Sequence, residues 1–61
     1  MMNTLFEVRN PLGDEPSFIT EVRGVGQESA SAILKEYPFH VVILSGFIDE
    51  TTRIPTWLNW N

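Results

Sequence analysis

The chain has 61 residues and a mass of 7.0 kDa, which limits it to one small domain over residues 1–61. A chain this short buries only about 60% of the surface that its unfolded form exposes, so it is marginally stable on its own. It has no cysteine and one histidine, which excludes disulfides and the usual zinc sites. Good packing or oligomerisation must therefore supply the stability, and we expect no cofactor.

Four basic and eight acidic residues give a net charge of −4. The bases Arg9, Arg23, Lys35 and Arg53 are scattered rather than clustered, so we expect no direct nucleic-acid binding. A basic protein partner, or a surface that normally holds nucleic acid, is electrostatically allowed, and a moderate negative charge also simply keeps a small protein soluble. The N-terminus has no basic region, and no apolar run approaches the roughly 20 residues of a membrane span. We therefore expect no membrane contact and a cytoplasmic protein.

Two segments show the period-two alternation of β-strands. In residues 4–9 one face carries Thr4, Phe6 and Val8, and in residues 17–23 the matching face carries Phe18, Thr20 and Val22. Residues 10–16 between them contain two prolines and a glycine, which is typical of a loop. The two segments predict an antiparallel hairpin with both phenylalanines on the buried face.

The next segment, residues 27–37, predicts a helix. Its apolar residues Ala30, Ile33, Leu34 and Tyr37 are spaced i, i+3, i+4 and i+7, which forms one helical stripe. The proline that follows ends the helix. We expect Ile33 and Leu34 to lie in the core.

Residues 39–48 predict a third strand, with Gly46 marking a bulge near its end. After a polar turn, residues 54–61 form a short tail that contains two tryptophans and packs on the sheet or on a partner. Pro55 argues against a helix in this tail.

The predicted order of elements is strand, strand, helix, strand. A right-handed crossover through the helix allows the third strand to lie beside the first. The sequence therefore predicts an α+β fold, a three-stranded antiparallel sheet of order 2-1-3 with one helix packed on one face.

The third strand is apolar on both faces, whereas an antiparallel sheet with one solvated face alternates. Its second apolar surface must be covered by the tail, by another copy of the chain or by a target protein. In the order 2-1-3 the third strand is at the edge of the sheet, where it would favour pairing with another copy of the chain. We therefore expect a homo-oligomer, most simply a dimer. The residues expected to contact a partner are Leu5, Ile19, Val42, Leu44, Trp57 and Trp60.

Candidate chemistry is sparse. Gly24 and Gly26 at a strand-to-helix junction, followed by Ser29, resemble a phosphate-binding turn, but the full glycine motif and its lysine are absent. His40 has no serine or cysteine within reach on its own strand. The acid pairs at 14–15 and 49–50 fall in loops, where acids are usually solvated. We expect no catalytic residues, no metal site and no enzymatic activity.

A short, acidic, cysteine-free chain resembles, in size and composition alone, the small accessory proteins common in phage genomes, which often bind and block host machinery. That resemblance implies a non-catalytic binding or inhibitory protein that occludes a partner surface in the host cytoplasm. The alternative is a small-ligand or nucleotide binder whose site lies between subunits and uses Gly24, Gly26 and Ser29.

Overall fold

The structure, a computed structural model, describes residues 1–59, except for the side chain of Gln27. Within these residues the elements are β1 (Met2–Arg9), β2 (Phe18–Val22), α1 (Gln27–Glu36), β3 (Val41–Asp49) and β4 (Pro55–Trp57). The strands form one antiparallel sheet in the order β2-β1-β3-β4, and α1 packs on one of its faces. The predicted α+β class, with an antiparallel sheet and one helix, is confirmed for the described residues.

The prediction of three strands is wrong, because part of the tail forms a fourth. Pro55–Trp57 pairs with β3 through Gly46, Phe47 and Ile48. Pro55 is tolerated because it is the first residue of a strand at the sheet edge. The expected order 2-1-3 survives inside the observed order, but β3 is an interior strand rather than an edge. β4 therefore pairs the edge of β3 but does not cover its outer face, where Ile43 is 36% exposed.

The bulge predicted near Gly46 is present in β3. Leu5 of β1 lies opposite Gly46, whereas the next residue, Phe6, lies opposite Leu44, so Ser45 is the extra residue. β4 approaches Gly46 so closely that a Cβ there would overlap the carbonyl oxygen of Thr56. Glycine is therefore required at this position for β4 to pair.

The core lies between α1 and the sheet. Its fully buried centre is formed by Phe6, Val8 and Ile33. Partly buried side chains surround them: Val22, Ala30, Tyr37, Val42 and Leu44. The prediction for Ile33 is confirmed, since 4% of the residue is exposed.

The prediction that Leu34 is a core residue is wrong, because 46% of it is exposed. Successive helical residues point about 100° apart. The residues of α1 that face the sheet are Ala30 and Ile33, continued by Tyr37 just beyond the helix. Because the buried stripe is centred on these three residues, Leu34 lies at the edge of the stripe, where solvent reaches it.

Candidate functional site: the two apolar surfaces of the sheet

The sheet face opposite α1, here called the outer face, carries a row of side chains across three strands. Glu7 of β1 lies opposite Ile19 of β2 on one side and opposite Ile43 of β3 on the other. Directly opposed residues of neighbouring strands share a face. Ile19 is 48% exposed and Ile43 is 36% exposed. Two accessible isoleucines therefore flank one glutamate on this face.

The next row on the outer face ends at Trp57. Leu5 lies opposite Glu21 of β2 and Gly46 of β3, and Gly46 lies opposite Trp57 of β4. Trp57 is 55% exposed, whereas Leu5 is 5% exposed. Gly46, which lies between them, contributes no side chain, because β4 approaches its backbone closely. Trp57 extends the apolar area of the outer face, but Leu5 is too buried to be a main contact.

The residues expected to bind a partner do not form one surface. Ile19 and Trp57 are accessible on the outer face, but Val42 and Leu44 lie opposite Val8 and Phe6 on the face covered by α1. Trp60 lies outside the described residues. The bulge at Ser45 shifts the alternation of β3, so Ile43 belongs to the outer face instead. Alternation places Ile43 on the face opposite to Val42 and Leu44, but the sequence alone does not indicate which of these two faces α1 covers.

An ion pair borders the outer face. Nη1 of Arg53 donates to Oε2 of Glu21 at 2.8 Å, and Nη2 donates to Oε1 at 2.5 Å. Asn3 Nδ2 also donates to Glu21 Oε2, at 2.7 Å. The Arg53 hydrogen bonds, followed by that of Asn3, lower the pKa of Glu21 from 4.5 to about 2. The carboxylate is thus held ionised by partners from two other segments.

The turn between β3 and β4 presents this arginine. The carboxylate of Asp49 accepts hydrogen bonds from the backbone N–H of Thr52 at 3.0 Å and from that of Thr51 at 2.8 Å, and these bonds lower its pKa. Arg53 closes the turn with a φ of 62°, a left-handed conformation uncommon outside glycine. A second, longer ion pair, of 3.8 Å between Arg23 and Glu50, joins the same turn to the end of β2.

On the opposite face, a cleft opens between the start of α1 and strands β1 and β3. Its volume is about 420 Å³. Its lining is Thr4, Phe6, Val25, Gly26, Ala30, Leu44 and Phe47. Of these, Thr4 alone has a polar side chain, and its hydroxyl donates to the carbonyl oxygen of Gly24 at 2.6 Å. The cleft is therefore an apolar depression beside the core, formed where small residues of α1 leave the sheet uncovered.

The glycine turn proposed as a phosphate site is held together by internal hydrogen bonds. Ser29 is 3% exposed, and its hydroxyl donates to the carbonyl oxygen of Gly24 at 3.3 Å. The N–H of Gly24 donates to Asn3 Oδ1 at 3.2 Å. Gly24 and Gly26 have positive φ values of 86° and 106°, which explains both glycines as turn residues. The polar groups named here already have partners within the chain.

The remaining candidate residues are apart from one another. The ring of His40 packs edge-on against Tyr37, with ring centres 5.1 Å apart, and its Nδ1 is buried without a hydrogen-bond partner in the described structure. The hydroxyl of Ser45 donates to the carbonyl oxygen of Ile43. Across residues 1–59, no group of three or more histidine, aspartate or glutamate side chains is placed to hold a metal ion.

The helix within the described residues is too short and too polar to cross a membrane.

No protein-family model, curated protein or solved structure shows significant similarity to the chain. The surfaces described above are therefore the basis for assigning a function.

Proposed function

We propose that this chain is a non-catalytic protein-binding protein that acts by occluding a surface of its partner. The observation that carries the proposal is the exposure of Ile19, Ile43 and Trp57 together on the outer face of the sheet. The helix of the described residues lies on the other face, so it does not cover them.

Covering the exposed parts of these side chains would release free energy, which favours binding of a partner at this face. Complete burial of a fully exposed isoleucine gains about 1.5–3 kcal/mol, and covering the exposed 48% of Ile19 and 36% of Ile43 would gain a corresponding share of this for each. Tryptophan is enriched among the residues that dominate binding energies. An apolar centre with a charged border, here the Arg53–Glu21 pair, is also the usual composition of a protein interface.

The outer face also accounts for the expected homo-oligomer, because a second copy could cover it until a partner is present. The setting we propose is the cytoplasm, and the host cytoplasm if a phage encodes the chain. The lack of cysteine and the small acidic composition support this setting.

A capture experiment with matched variants tests the proposal. Bait protein would be immobilised as wild type, as Ile19→Glu and as Leu34→Glu, and incubated with lysate of the native host cell. Leu34 and Ile19 are almost equally exposed, at 46% and 48%, but Leu34 lies on α1 and Ile19 on the outer face. We expect proteins retained by wild type and by Leu34→Glu to be lost from Ile19→Glu. A partner retained equally by all three folded baits would refute the outer face as the binding surface.

A nucleotide or small-ligand site at Gly24, Gly26 and Ser29 is the alternative. Gly26 does line the cleft, which supports binding of some ligand there. The cleft is apolar, however, and Glu28 lies beside Gly26, where it would repel a phosphate. A thermal-shift screen with nucleoside triphosphates tests this alternative: a rise in melting temperature that Glu28→Gln enhances would support it.

A further inference from the structure

We propose that the cleft between α1 and β3 is a second binding site, which receives one large apolar side chain from a basic segment of a partner protein. This inference rests on the proposed function only in assuming a protein partner. It assigns a different surface, the face opposite Ile19 and Ile43, and it specifies the chemistry of the occupant.

The dimensions and lining of the cleft favour a single apolar group. Its volume of about 420 Å³ lies near the lower end of the range for binding pockets, about 300–1,000 Å³. Phe6, Leu44 and Phe47 provide apolar walls from the sheet, and Val25, which is 56% exposed, stands at the opening. The one polar side chain of the lining, Thr4, is committed to the Gly24 carbonyl oxygen. A polar ligand would lose several hydrogen bonds to water here, whereas a branched aliphatic group would lose none and an indole only that of its one N–H.

One charge beside the cleft, together with the net charge of the chain, favours a basic occupant. Glu28 is exposed in the first turn of α1, and its Oε2 lies 3.8 Å from where a Cβ of Gly26 would be. The chain as a whole has a net charge of −4. Two of its four basic side chains, Arg23 and Arg53, are already paired with Glu50 and Glu21. A lysine or arginine next to the inserted apolar side chain would therefore be attracted to this negative surface. A purely apolar small molecule would gain nothing from that attraction.

The test is a titration of the full chain, labelled with ¹⁵N, with three short synthetic peptides. The first has one tryptophan flanked by lysines, the second has the lysines replaced by glutamates, and the third has alanine in place of the tryptophan. We expect the first peptide to shift the amide signals of Gly26, Ala30 and Phe47 saturably, and to bind at least about tenfold more tightly than the other two. The advantage over the glutamate peptide should shrink in high salt.

Two variants separate the cleft from general electrostatic attraction. Glu28→Lys should weaken the lysine peptide and strengthen the glutamate peptide. Glu36→Lys makes the same charge change about 12 Å away along the helix axis and should have a smaller effect on both. Ala30→Leu would fill the cleft and abolish binding of the first peptide. Because the two lysine substitutions are at exposed positions, they remain informative even if Ala30→Leu fails to fold.

The opposing results are equally specific. Signal changes confined to Ile19, Ile43 and Trp57 would overturn this inference while leaving the proposed function intact. Equal affinity for the lysine and glutamate peptides would overturn it, because the charge of the occupant would then not matter. Equal affinity for free indole and the lysine peptide would also overturn it, because the cleft would then be a small-molecule site. Absence of saturable shifts at millimolar peptide would overturn it as well, whatever the capture experiment shows.

Discussion

Arg53 and Glu21 form a two-point ion pair that connects the β3–β4 turn to the far edge strand, β2, although 32 residues separate them in sequence. Because β1 lies between β2 and β3, the arginine side chain crosses it. Asn3 of β1 contributes a third hydrogen bond to the same carboxylate. The outer face therefore carries a polar cross-link at one end, and the row with Ile19 and Ile43 lies beyond Glu21.

The first prediction concerns acid stability. The folded state holds the pKa of Glu21 at about 2, below its ordinary value of 4.5. The unfolded state thus takes up a proton first as the pH falls, so the contribution of Glu21 is complete above about pH 5 and is lost towards about pH 2. Asp49, whose pKa is also lowered, acts in the same direction. We expect the melting temperature to fall across this range, measured by circular dichroism.

A double-mutant cycle isolates the ion pair. Glu21→Gln and Arg53→Gln should each lower the melting temperature at neutral pH, and the double variant should lose less than the sum of the two. The coupling should be largely lost near pH 2, where the carboxylate is protonated in the unfolded state and about half protonated in the folded state. Strictly additive losses at neutral pH would show that the pair contributes nothing measurable, as is common for exposed ion pairs.

The second prediction compares two adjacent helical residues. Ile33→Ala should cost about 2–5 kcal/mol, because it leaves a cavity in the core. Leu34→Ala should cost less than about 1 kcal/mol, because 46% of Leu34 is exposed. Urea unfolding provides the measurement. Ile33→Val, with an expected cost of about 0.5–1.5 kcal/mol, remains measurable if the alanine variant does not fold. Equal costs for the two alanine variants would mean that α1 is rotated from the position described.

Much of the fold could be predicted because local patterns agree with it. Alternation identified β1 and β2, a continuous apolar run identified β3, and the stripe on residues 27–37 identified α1 to within one residue of its observed end at Glu36. β4 could not be found in this way. A three-residue strand beginning with a proline has almost no local signal, and it exists because Gly46 allows the backbone of Thr56 to approach β3.

The candidate site was predicted less well, because it depends on contacts between distant segments. The apolar character of β3 indicated an exposed second surface, but the fourth strand makes β3 interior, and the bulge at Ser45 assigns Val42 and Leu44 to the helix side. The Arg53–Glu21 pair has no sequence signal at a separation of 32 residues. The cleft depends on where a short helix leaves the sheet bare, which a helical stripe alone does not indicate.

The third prediction concerns the attachment of β4. Gly46→Ala should displace β4, because the new Cβ would overlap the Thr56 carbonyl oxygen and lie 3.2 Å from the Cα of Trp57. The N–H of Leu58, which donates to the carbonyl oxygen of Ser45 at 2.9 Å, should then exchange with solvent much faster, as measured by hydrogen exchange. Exchange of the β1–β2 amides should change far less.

Gly24→Ala is the control for this substitution. A Cβ at Gly24 would meet no atom of the described residues within 4 Å, but the φ of Gly24 is 86°, so alanine there would cost backbone strain rather than a collision. We expect it to lower the melting temperature without selectively exposing Leu58. Protection of Leu58 that survives Gly46→Ala would contradict the close approach of β4.

The last prediction concerns self-association through the outer face. If a second copy covers Ile19, Ile43 and Trp57, the wild type should sediment as a dimer, and its melting temperature should rise with protein concentration. Ile19→Glu would place a charge beside Glu7, which lies directly opposite it on β1, and should give monomers. Leu34→Glu, at a comparably exposed position on α1, should leave the dimer intact. A wild type that stays monomeric at high micromolar concentration, with a constant melting temperature, would refute self-association. The outer face of the monomer would then be exposed to solvent. A target protein could bind the two isoleucines and the indole without first dissociating a dimer.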